Sequence, residues 1–196
     1  SNYVNTVVNG SSKDGTDIHS VNQRAAGLPT RDDAKTFIYA YLYGAGDAKI
    51  GSIIGGKAKQ GKALKAEFLA KTPALKTLKD KIAKLVEKRS WLKGVDGRII
   101  RVRMPHAALN TLLQGMGAIV MKYWLIEVAK NADAEGLNWN PSANVHDEGQ
   151  FEVLKKDTQR FKEICEAAFP KIAGDLKLTC PLSGEAMEGT NWAATH

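Results

Sequence analysis

The chain has 196 residues, 43% of them hydrophobic and 25% charged, a balance that excludes disorder and allows one large or two small packed domains. Its 28 Lys+Arg against 21 Asp+Glu leave a net charge of +7, which favours a polyanionic partner such as nucleic acid or nucleotide phosphate. Cys165 and Cys180 are too few for a disulfide scaffold and lack metal-ligand spacing, so a reducing cytoplasm is expected. The longest apolar stretch, Gly115 to Val128, is interrupted by Lys122 and reads as too short to span a bilayer, so no membrane partner is expected. The first residue is Ser1, which reads as a processed end, an engineered fragment, a chain that has lost its natural beginning, or the residue after a splice junction, where its hydroxyl would be the nucleophile.

Residues 1–30 are polar and turn-rich and end in Leu28-Pro29-Thr30; Pro29 disfavours helix just before it and Thr30 can cap a helix that begins after it. The spacing predicts that helix from about Arg31, with acids in its first turn and Gly44 and Gly46 ending it. Gly51 to Ala70 reads as one amphipathic helix with Ala63, Leu64, Phe68 and Leu69 on its apolar side, and Pro73 to about Lys88 as another. Within the first, Gly56 to Lys62 matches the start of a phosphate-binding loop, but Ala63 stands where Ser or Thr must reach magnesium, so a basic turn is expected.

Trp91 to Arg103 reads as a hairpin turning at Val95-Asp96-Gly97. Pro105 opens a long helix to about Lys130. After an Asn-rich loop, GLNWNPSAN, a second hairpin is expected over Val145 to Val153, then a helix from Asp157 to Phe169 and a short strand from Asp175 to Thr179. Mostly helical, with small antiparallel sheets, the chain reads as α+β.

Three constellations carry chemistry. Arg31, Lys35, Tyr39 and Tyr43 recur every four residues, each about 40° further around a helix, giving one stripe that is cationic at its start and aromatic at its end. Such a stripe suits a nucleoside triphosphate; it also suits an ordinary surface helix whose tyrosines are buried in the core. His146-Asp147-Glu148 at a hairpin tip offers part of a two-metal site, or is a polar turn. His106, Asn110 and Gln114 form a hydrogen-bonding stripe fit for base edges in a minor groove, or a polar seam between helix and solvent.

In order along the chain, Asp17-Ile18-His19, RDDAKTFIYAYLYGAGDAKIG from Arg31, PHAALNTLLQ from Pro105, VHDEGQFEV from Val145 and the ending NWAATH resemble the family A DNA polymerases. They are most similar to the replicative enzymes of short-tailed T-odd bacteriophages. The resemblance covers essentially the whole chain. It implies a helical fingers subdomain over residues 1–104 and part of a palm over 105–196. It implies that His19, Arg31 and Lys35 hold the triphosphate, with Tyr39 beneath the sugar and Tyr43 near the templating position.

Asp147, Glu148 and Lys35 would be the catalytic set, with Asp147 a ligand of both Mg2+ ions. His106, Asn110 and Gln114 would read the new duplex, and His146 would lie near the primer terminus. The implied partners are primer-template DNA, dNTP and an N-terminal segment carrying motif A, thumb and exonuclease, in the cytoplasm of a bacterial host. Two departures stand out. Motif A precedes the DIH region in the family and has no counterpart here, so the chain is expected to be inactive by itself; a noncatalytic DNA- or nucleotide-binding relic is the alternative. Gly149 stands where the family usually carries an apolar residue, after a polar Asn-rich lead-in that weakens the first strand of the motif C hairpin.

Overall fold

Two helices occupy the N-terminal stretch that composition marks as turns: α1, Asn2–Asn9, and α2, Ile18–Ala26. Local caps rather than apolar periodicity define α2. The Asp17 carboxylate accepts from the His19 amide at its start, and Gly27, at φ 64°, ends it in the left-handed conformation. The computed structural model describes residues 2–195; Ser1 and His196, with the expectations placed on the first residue and on the last residue of NWAATH, lie outside the described residues.

α3, Arg31–Leu42, starts and stops as its capping residues dictate. Thr30 Oγ1 accepts from the Asp33 amide at 3.0 Å, and Asp32 and Asp33 face the positive end of the helix dipole. The single helix expected over Gly51 to Ala70 is instead two, α4, Asp47–Ile53, and α5, Ala58–Lys71. They approach so closely that a side chain at Gly61 would collide with the Asp47 carbonyl, so the glycine of the phosphate-loop decoy serves packing. α6, Pro73–Arg89, leads into the hairpin β1, Trp91–Lys93, and β2, Ile99–Arg101, paired antiparallel with Leu92 opposite Ile100.

A 3-10 turn, Pro105–Ala107, precedes the long α7, Ala108–Ala134. β3, Trp139–Val145, and β4, Glu148–Val153, form the second hairpin, so the Asn-rich segment is strand where a loop was expected. α8, Thr158–Asp175, runs past the expected end at Phe169 and through Pro170, because Ile172 and Ala173 are buried core residues. No strand forms at 175–179: Lys177 turns to φ 53° and the Leu178 amide bonds back to the Ala173 carbonyl at 2.8 Å, closing the helix.

The chain packs as two compact units, one of residues up to Gly94 with Ile99–Leu113, the other of Val95–Arg98 with residues from Gln114 on. In the first, Ala34, Phe37, Ile38 and Tyr41 of α3 pack on Ile50, Leu64 and Phe68, and a second cluster joins Ile82 and Val86 of α6 to Leu92, Val102, Ala108 and Leu109. In the second, Ile119, Met121, Trp124, Val128 and Ala132 of α7 pack on Phe161, Ile164, Cys165 and Ile172 of α8 and on Trp139, Phe151 and Val153 of the hairpin. The helical run Pro105–Ala134 is, by length and composition, long enough and apolar enough to cross a bilayer, contrary to the shorter stretch expected from sequence. Within its unit, its face from Ile119 to Ala132 belongs to the core just described.

Candidate functional site

The stripe on α3 faces outward. Its core positions are Ala34, Phe37, Ile38 and Tyr41, whereas Tyr39 and Tyr43 are 45% and 55% exposed and Lys35 is exposed. The reading in which the stripe tyrosines are core residues is therefore overturned; the core tyrosine is Tyr41, on the opposite side. Tyr43 stands at the C-cap rather than in the helix, and its ring stacks on Tyr39 with centroids 6.3 Å apart. The His19 ring, from α2, lies 5.8 Å from that of Tyr39.

Arg31 is gripped by Asp17. Its Nε donates to Asp17 Oδ2 at 3.1 Å and its Nη2 to the same oxygen at 2.8 Å. This Arg31 contact, the Ser20 hydroxyl and the His19 amide hold the Asp17 carboxyl well below the usual carboxylate range against the opposing effect of burial. Burial, then the charges of Arg31 and Lys35, hold His19 below the ordinary histidine value, with Asp17 opposing. His19 thus resists protonation and sits in the field of both cations. Its Nδ1 is buried and has no hydrogen-bond partner among the described residues. The five residues assigned to a nucleotide from sequence come together on one face of the first unit. Asp17, to which neither spacing nor resemblance assigns a role, completes it; the signal available was a capping Asp with Ser20 three residues on.

Of the three residues expected to line one stripe, His106 lies in the 3-10 turn, and Asn110 and Gln114 lie on α7, which begins at Ala108 rather than at Pro105. His106 and Gln114 are exposed, and the Asn110 Oδ1 is buried with no hydrogen-bond partner among the described residues. Within the first unit, Gly44 at the end of the α3 stripe comes so near the 3-10 turn that a side chain there would meet the His106 carbonyl at 3.4 Å.

In the second unit, Val145 pairs with Glu148 and leaves His146 and Asp147 as a two-residue turn. His146 has φ 57°, a conformation that L-residues adopt at a cost. Asp147 is exposed at the tip and makes no ion pair with the described residues. Glu148 is held from behind: its Oε1 accepts from Trp192 Nε1 at 2.8 Å and from Gln150 Nε2. Gln150 Nε2 also donates to Thr195 Oγ1 at 3.3 Å, so the C-terminal segment is tied to the acidic hairpin, a connection no local pattern announces.

Gly149 does not spoil the hairpin. A Cβ there would lie 2.6 Å from Trp124 Cζ3 and 2.9 Å from Phe151 Cε2, so the indole of α7 fills the space an apolar side chain would need. Trp124 is fixed in turn by its bond to the Cys165 carbonyl at 2.8 Å and by stacking on Phe169 at 5.4 Å. Gly149→Ala should overpack this contact, costing about 1–3 kcal/mol and lowering the unfolding midpoint by several degrees. An unchanged midpoint in a thermal melt would contradict that packing account. Cys165 is buried, and burial pushes its thiol up to about 12, which leaves it inert.

Among the described residues no group of three or more His, Cys, Asp or Glu is placed to hold a metal ion. The oxygen donors at the tip, Asp147 with Glu148 beside it, suit a hard divalent cation in kind but supply only part of a shell. These residues fit a shared ion and not a self-sufficient site.

The family model "DNA polymerase family A" matches residues 11–194. The DNA-directed DNA polymerase of Escherichia phage Phieco32 is 46% identical over 187 residues, 92% of this chain and 30% of that protein. That of Escherichia phage T7 is 42% identical over 215 residues, 99% of this chain and 30% of that protein. The chain thus spans under a third of the length of these phage relatives. The polymerase domain of Pol1 from M. smegmatis shares the fold, with a TM-score of 0.69 at 20% identity, covering 79% of this chain and 30% of that one. Motif order, exposed stripe and near-full coverage by the family model lead to one conclusion: the chain belongs to DNA polymerase family A.

Proposed function

We propose that the chain is the C-terminal part of a template-directed DNA polymerase that adds deoxynucleotides to a primer in a bacterial host's cytoplasm. Residues 1–104 act as fingers and 105–196 as part of the palm. The observation that carries this reading is the outward face on which Arg31, Lys35, His19, Tyr39 and Tyr43 converge. A dNTP laid along α3 meets Arg31, held by Asp17, and the exposed Lys35 at its phosphates, and stacked rings at its sugar and base. That the solved Pol1 domain is a complex with DNA primer-template and dNTP supports the same partners here.

Lys35 then offsets charge that builds on the leaving pyrophosphate. His106, Asn110 and Gln114 face the new duplex, and His146 the primer end. Asp147, presented by the strained turn, holds the ion together with a carboxylate from an upstream segment, and Glu148 stands behind it. When bound, Mg2+ supplies Lewis-acid stabilisation of the attacking and leaving oxygens. With one such carboxylate, the chain by itself does not extend a primer.

The test is dATP binding to the full chain by equilibrium dialysis, with Lys35→Ala beside it. Binding that weakens by about tenfold on loss of Lys35 is expected, the worth of one charge-assisted contact. Absence of binding, or equal binding by the variant, would remove the nucleotide face.

A further inference from the structure

The contact between Asp17 and Arg31 has a direction. Asp17 is the inner partner, its side chain 12% exposed, and Arg31 the outer one at 38%. The carboxylate is fixed from its own helix start: Ser20 Oγ donates to Oδ1 at 2.5 Å and the His19 amide to Oδ2 at 3.1 Å. What remains of its acceptor capacity is taken by Arg31, with Nε at 3.3 Å from Oδ1 and 3.1 Å from Oδ2, and Nη2 at 2.8 Å from Oδ2. Asp17 therefore occupies one edge of the planar guanidinium, the Nε–Nη2 edge. The other, formed by Nη1 and the outer N–H of Nη2, makes no hydrogen bond with the described residues.

We propose that Asp17 is a positioning residue for nucleotide binding, holding the inner edge of Arg31 so that the outer edge is presented, in fixed orientation, to a phosphate oxygen. This rests on reading the α3 face as the triphosphate site. A guanidinium offers two forked edges, and holding one by a carboxylate removes the rotamer freedom that the other would lose on binding. Asp17 is not a competitor for the phosphate, because the edge it fills is not the edge a phosphate approaches. Nor is it available to substrate or metal, since both of its oxygens are committed within the unit.

The experiment is dATP and inorganic tripolyphosphate binding to the full chain, comparing wild type, Asp17→Asn, Ser20→Ala, Arg31→Ala and the Asp17→Asn/Arg31→Ala double variant. Asn caps a helix about as well as Asp, so Asp17→Asn keeps the start of α2 while weakening the grip on Arg31. It also adds one net positive charge, so attraction alone would tighten both ligands. Positioning predicts the reverse: affinity for both falls by about tenfold, and the double variant is no weaker than Arg31→Ala. Ser20→Ala, which keeps the charge but frees the carboxylate, should show a smaller loss of about two- to fivefold and guards against a folding failure of the first variant.

Unchanged or tighter binding by Asp17→Asn, or a loss that adds in full to that of Arg31→Ala, overturns the proposal and leaves the nucleotide site standing. If wild type binds neither ligand, or binds them equally without Arg31, the site reading fails and this one with it.

Discussion

Replacing Asp147 by Asn in an enzyme completed with its upstream part is expected to slow nucleotide addition by about a thousandfold or more while primer-template affinity stays within a few-fold. Asn keeps the size and shape of the side chain, so the turn between β3 and β4 should persist. What is lost is a full negative charge at the exposed tip, where the described residues offer it no ion pair and where a shared cation would need it. Binding and chemistry should separate because DNA contacts are assigned to His106, Asn110 and Gln114, not to this carboxylate. Single-turnover rates, read beside equilibrium binding of a labelled duplex, measure both quantities on one sample. A variant with near-normal rate would remove Asp147 from the chemistry.

Tyr39→Phe should change selectivity rather than speed. The Tyr39 ring is 45% exposed, between the His19 ring at 5.8 Å and the Tyr43 ring at 6.3 Å, and among the described residues its hydroxyl has no hydrogen-bond partner. Deleting that hydroxyl therefore removes nothing that supports the fold. On the proposed nucleotide face, the likeness to family A polymerases implies that this hydroxyl stands in for the sugar 3′-hydroxyl that a dideoxynucleotide lacks, so Tyr39 should accept chain terminators readily. With Phe, the polar groups beside the missing hydroxyl are left unpaired, at about 1–3 kcal/mol, or roughly five- to 150-fold discrimination. The ratio of dideoxy to deoxy incorporation should fall by that factor while normal incorporation continues. An unchanged ratio with a lowered melting temperature would make Tyr39 a packing residue.

The motif helix was legible because its limits are written locally. Pro29 and Thr30 precede it, acids fill its first turn and Gly44 comes just after it, and the structure places α3 within a residue or two of that reading. The two hairpins were legible in outline, but β3 hid in an Asn-rich segment because its pairing partner, β4, supplies what propensity withholds. α2 escaped because a nine-residue helix set by caps leaves little apolar periodicity. The break between α4 and α5 falls at Gly55, whose φ of 66° ends α4, and a glycine within a lysine-rich apolar pattern does not by itself announce a stop.

At the candidate site, spacing and family likeness nominate residues, whereas partnerships leave no mark in one sequence. Asp17 meets Arg31 across 14 residues, and Trp192 meets Glu148 across 44, distances over which one sequence carries no pairing signal. Gly149 looked like a flaw in the hairpin. Trp124 explains it, from a helix more than twenty residues upstream.

If these residues are the nucleotide-adding part of a polymerase, as proposed, the chain should work when grafted in place of the stretch it matches in the phage T7 relative, where 99% of it aligns. The measurement is magnesium-dependent extension of a primer on a template of defined sequence. The expected result is addition of the nucleotide complementary to the template, abolished by Asp147→Asn and not seen with the chain alone. A folded chimera that binds primer-template and dNTP yet adds nothing would contradict the claim.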